Sequence, residues 1–514
     1  MKNNELKAGS ILSYLSIFIT IIVALLYTPV MLRLLGQSEY GLYSLIGSVV
    51  GYLSILDLGL GNAMIRYNAR NRAIGDKDAE SRLNGMFLVL YSLIGLLTVM
   101  VGAVLYFNIE NMFAATLTAT ELQKGRLMTI LLIFNFAVSF PLSIFGSIIQ
   151  AYEKFVFFKL MGIIRSILMP CIMLPFLYAG FGSVAMVVIN TVLNIGVLLA
   201  NLGYCVHVLN IRIHFKRFDY PLLREIAGYS FYIFLTVIVD KIYWSTGQVI
   251  LGIVSGTMLV AIYAIAMQLI TMYIMFSNAI RGVLLPKITM MVANDASNSE
   301  LSQILIKISR IQYAVMAYIL CGFILFGHAF INLWAGPNYN NAYYLVLLIM
   351  VPLTVPMIQN IGVVILEAQN RNAFRSIAYA AVAVASVIAS IPMAKNFGGV
   401  GCALVTSISL IFFPVIIMNV YYHQKIGLNI SLFWKNIARM SIPVAVALLG
   451  GYGINYSLAQ ESILLLAVKI MGFSVVYFIV MWFGGLNVYE KELFISPLKW
   501  LLHKKSQAEV GSSN

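Results

Sequence analysis

Long apolar runs, separated by short polar gaps, make up almost the whole of this 514-residue chain. A run of about 20 mainly apolar residues spans the hydrocarbon core of a bilayer as an α-helix. Fourteen such runs are predicted as membrane spans: 9–32, 40–62, 83–107, 127–150, 160–180, 182–206, 226–252, 258–280, 311–334, 343–366, 376–394, 399–422, 437–457 and 463–485. The pattern therefore predicts an all-α polytopic membrane protein.

Basic residues are concentrated in every second gap between these runs. Of the 33 Lys and Arg, 26 lie at or beyond span ends on the side of the N-terminus, 4 lie on the other side and 3 lie within spans. Short loops rich in Lys and Arg stay in the cytoplasm, so both termini are predicted to be cytoplasmic. The net charge of +14 then reflects orientation and contact with anionic membrane lipids, and we expect no nucleic-acid partner.

Three short segments recur at nearly constant spacing along the chain. The pairs are Gly36–Tyr43 with Gly256–Tyr263, Gln150–Phe157 with Glu367–Phe374, and Phe181–Ala185 with Phe397–Gly401, at offsets of 220, 217 and 216 residues. Each pair follows or opens the equivalent span of two successive groups of six. Because six is even, both groups enter the membrane from the same side, as parallel repeats do in some transporters.

The repeat predicts four parts of the chain. Residues 1–212 form an N-terminal six-helix lobe, and residues 213–425 form a second six-helix lobe. Residues 426–485 contain two additional transmembrane helices. Residues 486–514 are a cytoplasmic tail with a short interfacial helix, since apolar and basic side chains alternate there.

Two segments near the N-terminus carry a family resemblance. Leu35-Gly-Gln-Ser-Glu-Tyr-Gly-Leu-Tyr43, followed by Leu56-Asp-Leu-Gly-Leu-Gly-Asn62 and Arg66, resembles the start of the polysaccharide (O-antigen, Wzx-type) flippases. That family belongs to the multidrug/oligosaccharidyl-lipid/polysaccharide exporter superfamily, with the multidrug and toxin extruders and the lipid II flippase. The resemblance implies two lobes like those of the multidrug and toxin extruders.

The same resemblance implies a function. It implies export of an undecaprenyl-diphosphate-linked oligosaccharide from the inner to the outer leaflet of the bacterial inner membrane, by alternating access, for surface polysaccharide synthesis. The implied partners are this lipid-linked substrate, membrane lipids, and a polysaccharide polymerase with its chain-length regulator. The sugar is not identified.

Cations within spans are candidate substrate-binding residues, because an uncompensated charge in hydrocarbon costs several kcal/mol. Arg165 lies about 8 Å inside its span, and a guanidinium binds two phosphate oxygens at once. Lys241 lies near the middle of its span, too deep to reach the interface easily. We expect both to face a water-filled cavity between the lobes. The alternatives are structural ion pairs and, for Arg165, extension to the inner interface. Lys469 is expected at the interface or facing lipid.

Two carboxylates within spans, Asp57 and Asp240, are candidates for coupling transport to an inward flow of H⁺ or Na⁺. Asp57 lies beside Gly59 and Gly61, which permit local unwinding of a helix. An ion pair with a basic residue at the helix end is the alternative for Asp57, and a structural ion pair is the alternative for Asp240. Asp240 is the preferred candidate because it lies deeper in its span.

Basic residues at equivalent span ends are expected to surround the cytoplasmic entrance. Arg66 and Arg70 end the second span, while Arg281 and Lys287 end the eighth, its counterpart in the second repeat. Such a ring would concentrate a diphosphate near the entrance. The alternative is that these charges only set orientation. Exchange of Arg66 and Arg281 for Gln would then leave transport normal, whereas a binding role predicts weaker substrate capture.

No motif of an enzyme is present. The chain contains no nucleotide-binding glycine loop, no histidine cluster with metal-ligand spacing and no Ser/His/Asp arrangement, so we expect no catalytic activity, cofactor or metal site. The alternatives to a flippase are a multidrug-type cation exporter and a membrane-embedded polysaccharide polymerase or ligase. A cation exporter is expected to have an acidic cavity, and a polymerase a large outer domain, for which the short gaps leave no room.

The first prediction concerns energy coupling. If Asp240 carries the coupling ion, Asp240→Asn in proteoliposomes is expected to abolish any dependence of transport on a pH or Na⁺ gradient, because an amide cannot be charged. Transport by the variant is measured with and without each gradient. Full gradient dependence in the variant would exclude Asp240.

Overall fold

The computed structural model describes residues 2–215, 220–369, 371–457, 462–493 and 495, and within these ranges every regular element is a helix. The first helices are α1 (Lys2–Leu35), α2 (Gln37–Gly51), a 3₁₀ turn (Tyr52–Asp57), α3 (Leu60–Ile74), α4 (Lys77–Phe113), α5 (Ala119–Ala151), α6 (Phe155–Tyr178) and α7 (Ser183–His207). A backbone in lipid has no water to bond, so helices, which satisfy their own amides, are the structures expected.

The second part of the chain continues in the same way. Its helices are α8 (Tyr220–Ser255), α9 (Thr257–Ala293), α10 (Asn298–Trp334), α11 (Ala342–Ile358), α12 (Asn360–Ala368), α13 (Ala373–Leu410), α14 (Met418–Tyr421), α15 (Ile430–Ser457) and α16 (Ile463–Val480). A 3₁₀ turn occupies Pro337–Tyr339, and π-helical segments occupy Ile411–Ile417, Tyr422–Ile426 and Met481–Gly485. An all-helical fold is therefore confirmed for the described ranges.

Twelve helical segments of the described chain are long and apolar enough to cross a membrane, or thirteen if α11 and α12, bent by 43°, count as one. Twelve of the fourteen predicted spans overlap one such segment each, or the bent pair. The other two, 376–394 and 399–422, fall together within the 54-residue range Ala373–Ile426. That range is interrupted at Gly398, whose backbone (φ 55°, ψ −133°) is not helical. The count of fourteen and the repeat layout remain predictions.

The exposed face of α4 shows why a membrane is required. Leu96, Met100, Val104 and Phe107 follow one another at helical spacing and are each more than 60% exposed. A continuous apolar stripe of this length is unfavourable in water but is solvated by lipid chains. The abundance of such apolar helices makes this a multi-pass membrane protein.

The second predicted span is one segment in sequence but two helices in the structure. The chain leaves α2, makes a 3₁₀ turn to Asp57 and restarts as α3 at Leu60. Leu58 (φ 53°) and Gly59 (φ 74°) both have left-handed backbone conformations, which end a helix. The local unwinding expected from Gly59 and Gly61 is therefore present.

The chain forms two compact units. The first contains residues 1–272, 344–348 and 372–409, and the second contains residues 273–343, 349–371 and 410–514. In the first unit, α4 packs on α5, α5 on α7, and α1 on α6. In the second, α10, α15 and α16 pack together around Phe326, Phe473 and Tyr477. The predicted boundaries near residues 212 and 425 stay predictions.

A buried ion pair anchors the segment after α16 in the second unit. Arg310 of α10 donates from Nε and Nη2 to the two carboxylate oxygens of Glu490, at 2.6 and 3.0 Å. Arg310 also donates to the carbonyl of Gly485, and the Asn487 amide donates to Glu490. Glu490 is 1% exposed. Residues 488–493 are helical, and the predicted interfacial helix beyond them, apart from residue 495, lies outside the described residues.

Lys469 of α16 is placed differently from the prediction. It is only 5% exposed, and its ammonium donates to Oδ1 of Asn455 in α15, at 3.0 Å. A lipid-facing position is therefore wrong, because the side chain is buried and an amide oxygen within the unit supplies an acceptor. Asn455 in turn donates to the carbonyl of Leu325 in α10, so the polar chain joins three helices.

The Arg310–Glu490 pair generates a stability prediction. Removing one partner leaves the other charge buried, so Arg310→Met or Glu490→Leu alone is expected to lower the free energy of unfolding by about 3–5 kcal/mol. The double variant is expected to recover most of this loss. Arg70→Gln is the control, because its pair with Glu225 is exposed and 3.8 Å long, and should cost less than about 1 kcal/mol. Denaturant unfolding in detergent measures all four variants. Equal effects of the exposed and buried changes would contradict this account.

Candidate functional site

Arg165 lies in α6, partly buried, and is held by two amides of α7. Its Nη1 donates to Oδ1 of Asn194 at 2.9 Å, and its Nη2 donates to Oδ1 of Asn190 at 3.0 Å. Residues four apart lie on one face of a helix, so the two amides form one cradle. Asn194 is fixed in turn, since its Nδ2 donates to Asn135 and Ser139 of α5 at 2.8 and 2.7 Å. Three helices thus position one guanidinium.

The charge of Arg165 is solvated but not neutralised. Neither Asp57 nor Asp240 lies within ion-pair distance of it, and the same holds for the other carboxylates of the described ranges. Amide oxygens accept hydrogen bonds but carry no net charge. A guanidinium has five N–H donors, and the amides accept two of them. The arrangement leaves a full positive charge and free donors for an anion.

Lys241 of α8 lies against α2. A Cβ atom at Gly51 would stand 3.5 Å from its Nζ, so the glycine gives the ammonium room beside the helix. A hydrogen bond of Gln248 with Ser48 joins α8 to α2, and one of Thr246 with Tyr52 joins α8 to the 3₁₀ turn that follows α2. Within the part of the chain that the structure describes, no carboxylate lies within 4 Å of Lys241 either.

Arg165 and Lys241 approach the same helix. The guanidinium of Arg165 interacts electrostatically with Tyr43 of α2, and the ammonium of Lys241 lies beside Gly51. Eight residues of α-helix separate these two positions, which is about 12 Å along the axis and about 80° around it. The first unit therefore places Lys241 against α2 and Arg165 within electrostatic range of it, and we call this side of α2 the cationic wall. Whether that wall faces a cavity between lobes remains a prediction.

Asp240 points away from Lys241, as expected for adjacent helical positions about 100° apart. Its exposed carboxylate interacts electrostatically with Arg375 of α13. Arg375 lies over the ring of Tyr379, which stacks on Tyr243 at 4.9 Å between ring centres. Arg375 thus acts on Asp240 through its charge and not through an ion pair within 4 Å. The sequence pattern did not single out Arg375, because it lies at a span end.

The partners of Asp57 within the described ranges are neutral donors. Tyr91 Oη donates to it at 2.9 Å, and the backbone amides of Gly59 and Gly61 donate as well. The carboxylate therefore lies at the start of α3, where the helix dipole favours a negative charge. The alternative pairing with the basic residues of α3 is not found, since Arg70 pairs with Glu225 and Arg66 lies over Tyr67.

The structure describes only some of the basic side chains predicted to surround the cytoplasmic entrance. Arg66 is an exposed residue of α3, the continuation of the second span. Arg281 lies within α9, and its side chain falls outside the described part of the structure, as does that of Lys287. The proximity of Arg66 and Arg281 therefore remains a prediction.

A polar cluster at the opposite end of these helices was not anticipated. We call it the end cluster: Ser38 and Glu39 of α2, Glu121 and Lys124 of α5, Ser183 of α7 and Thr257 of α9. Glu39 pairs with Lys124 and accepts from the amide and hydroxyl of Ser183, at 3.1 and 2.5 Å. Glu121 accepts from Ser38 at 2.5 Å and from Thr257 at 2.8 Å. Carboxylates thus lie at the N-termini of four helices, where they are electrostatically favourable.

The end cluster joins the first recurring segment to its counterpart. Gly36 and Gly256 have the same backbone angle, φ 79°, and each allows a new helix to start one residue later. The hydroxyls of Ser38 and Thr257 then lie 3.2 Å apart. A Cβ at Gly41 would overlap the carbonyl of Thr257, so only glycine permits this approach. The two segments recur in the sequence, but their recurrence alone does not indicate that they touch.

Two further hydrogen bonds connect helices at the same end of the first unit. Gln37 of α2 donates to the carbonyl of Met258 at 3.2 Å. Thr116, in the turn between α4 and α5, donates to the carbonyl of Gly252 in α8 at 2.6 Å. Helices α2 and α5 are therefore bonded to α8 and α9 at this end through both side chains and backbone.

Comparison with known proteins agrees with this architecture. The model of a family described as "Polysaccharide biosynthesis protein" matches residues 6–292. A sequence search of curated proteins finds no match. Among solved structures, the lipid II flippase MurJ in an inward closed conformation is similar with a TM-score of 0.71 and 14% identity, over 95% of this chain and 99% of that chain.

Two transporters of the MOP superfamily are also similar. An inward-facing multidrug resistance MATE transporter has a TM-score of 0.59 and 15% identity, over 80% of this chain and 99% of that one. A Pyrococcus furiosus MOP transporter, described as having a binding pocket of reverse polarity, has a TM-score of 0.54 and 13% identity, over 81% and 96% of the two chains. At these identities the likeness establishes the fold.

Proposed function

The chain belongs to the polysaccharide biosynthesis protein family, and we propose that it is a flippase for an undecaprenyl-diphosphate-linked oligosaccharide. It would move the substrate from the inner to the outer leaflet of a bacterial inner membrane for surface polysaccharide synthesis. The observation that carries the proposal is Arg165, a cation within a membrane span that three neutral amides and a hydroxyl position without neutralising it.

The chemistry of the substrate fits this arrangement. A diphosphate must cross about 30 Å of hydrocarbon, where an unpaired charge costs several kcal/mol. A fixed guanidinium offers bidentate hydrogen bonds to phosphate oxygens, and Lys241 supplies a second positive charge along α2. The lipid tail can remain in the bilayer while the head group follows this cationic wall. Arg66 and Arg281 are proposed to gather the head group at the cytoplasmic entrance.

The topology proposed for this function has fourteen spans with both termini in the cytoplasm. The range Ala373–Ile426 would then form two spans that meet at Gly398. A continuous helix of 54 residues would extend about 80 Å, whereas the hydrocarbon core is about 30 Å thick. Twelve of the spans would form two parallel six-helix lobes, and α15 and α16 would be the additional pair.

A multidrug-type cation exporter is the second candidate, because the fold is shared with such transporters. It is disfavoured by the uncompensated cations on α6 and α8, which would repel a cationic drug. The polymerase or ligase alternative lacks support in the described chain, where the outer connections next to the end cluster are turns of a few residues.

The membrane potential is proposed as the main source of energy for transport. A potential negative inside favours outward movement of an anion by about 2.3 kcal/mol per charge per 100 mV. If an inward ion is also coupled, the neighbours of the two carboxylates now favour Asp57, which neutral donors surround, over Asp240, whose ionised form the charge of Arg375 stabilises. Asp57→Asn tested beside Asp240→Asn distinguishes the two candidates.

Removal of the Arg165 charge tests substrate binding. Arg165→Gln is expected to lower the flipping rate of a fluorescent lipid-diphosphate oligosaccharide in proteoliposomes by about 10- to 100-fold, since hydrogen bonds to charged groups contribute about 1.5–3 kcal/mol. Arg165→Lys should retain part of the rate, because it keeps the charge but not the fork. Lys77→Gln, a basic residue at the start of α4, is the control. Unchanged flipping by well-inserted Arg165→Gln would refute the role.

Alternating access requires the bonds of the end cluster to break during transport. In a background without native cysteines, Ser38→Cys with Thr257→Cys places two thiols where hydroxyls lie 3.2 Å apart. Oxidation is expected to stop flipping, and reduction to restore it. Asn68→Cys with Asn84→Cys, which links α3 to α4 at a 2.9 Å contact, is the control and should flip in both states. Undiminished flipping by the fully cross-linked Ser38/Thr257 variant would show that this end does not open.

A further inference from the structure

A groove between α4 and α5, close to the turn that joins them, is separate from the residues discussed so far. Its cavity volume is 410 Å³, and the side chains that matter for its chemistry are Tyr106, Glu110, Gln123, Arg126, Leu127 and Ile130. Leu127 and Ile130 are each 48% exposed, so the groove opens sideways onto the apolar surface of the bundle. A molecule in the surrounding bilayer has direct access to it.

The groove is polar at one end and apolar at the other. Arg126 lies seven residues into α5, about 10 Å from its start, and Ile130 lies about 6 Å deeper. Glu110 lies three residues, about 5 Å, before the end of α4. The order from the membrane surface inward is therefore carboxylate, guanidinium and aliphatic side chains. This order matches a zwitterionic phospholipid, whose ammonium lies outermost, then its phosphate, then its acyl chains.

The charges of Arg126 and Glu110 are exposed and interact only weakly with each other. Arg126 Nη1 donates to Glu110 at 3.2 Å, and the side chains are 40% and 61% exposed. Such pairs contribute about 0–1 kcal/mol, so a ligand with both charges can bridge them at little cost. Tyr106 accepts from Arg126 Nη2 at 3.3 Å and lies beneath the guanidinium, which fixes the cation at the groove.

We propose that this groove binds one aminophospholipid of the membrane leaflet at the end of the bundle where α4 joins α5, with its phosphate on Arg126 and its primary ammonium on Glu110. The acyl chain lies along Leu127 and Ile130. A choline head group has no N–H to donate to Glu110, and a glycerol head group has no cation. The site therefore selects phosphatidylethanolamine over phosphatidylcholine and phosphatidylglycerol. It does not depend on the substrate of the proposed flippase.

Native mass spectrometry of the purified full chain tests the site, with each of the three phospholipids added in turn after delipidation. One phosphatidylethanolamine is expected to be retained with a preference of about fivefold, the factor corresponding to one exposed charge pair. Glu110→Gln is expected to abolish the preference, because the ammonium contact distinguishes the lipids. Arg126→Gln is expected to weaken retention of all three lipids, because it removes the phosphate contact that they share. Arg70→Gln, which breaks an exposed pair elsewhere, should keep the preference.

The exchanged double variant, Glu110→Arg with Arg126→Glu, separates lipid binding from a simple ion pair. It restores the pair and the thermal stability of the protein but reverses the order of charge along the membrane normal. The preference for phosphatidylethanolamine is therefore expected to remain lost. Equal retention of the three lipids by the natural protein, or a preference that survives in the exchanged variant, would overturn the proposal.

Discussion

A guanidinium within a membrane span loses most of its hydration and needs acceptors from the protein itself. Arg165 obtains them from Asn190 and Asn194, and Asn194 is held in turn by two residues of α5. These hydrogen bonds therefore help to fix the relative rotation of α5, α6 and α7. Because the acceptors are neutral, the arrangement satisfies the hydrogen bonds of the cation while its charge remains available.

The other charges of the chain meet the same constraint in different ways. Arg310 and Glu490 neutralise each other in the second unit, with carbonyl and amide groups completing their hydrogen bonds. Asp57 uses a helix N-terminus and a tyrosine. A fully neutralised pair is suited to holding an element in place, whereas a solvated but uncompensated charge is suited to binding a counterion. This distinction separates the structural charges from the proposed functional ones.

Close approach of neighbouring helices at glycine residues is the second feature that shapes the first unit. Gly41 allows α2 to contact the first residue of α9, and Gly51 leaves space for the ammonium of Lys241. Helix α2 thus contributes to the end cluster at its start and to the cationic wall along its length. A movement of α2 relative to α8 and α9 would alter both regions together and would link them mechanically in the alternating access proposed above.

Several features could be predicted from the sequence because they depend on local pattern alone. Apolar runs of bilayer length predicted an all-helical multi-pass protein, and the segments around Gly36 and Asp57 predicted the family that the match over residues 6–292 confirms. Glycines next to Asp57 predicted the unwinding after α2, since a positive φ is a local property. The segments 376–394 and 399–422 were predicted as two spans, whereas the structure shows one helical range interrupted at the single residue Gly398.

Pairing, in contrast, was decided by the tertiary structure. Sequence placed Arg165, Asp57 and Lys469 within spans, but their partners are amides and hydroxyls on other helices, and such residues are too common in membrane helices to stand out. The same is true of Ser38 and Thr257, 219 positions apart in the chain. Hydrophobicity determines where a helix crosses the bilayer, whereas its rotation and neighbours depend on packing between segments, which no single segment encodes.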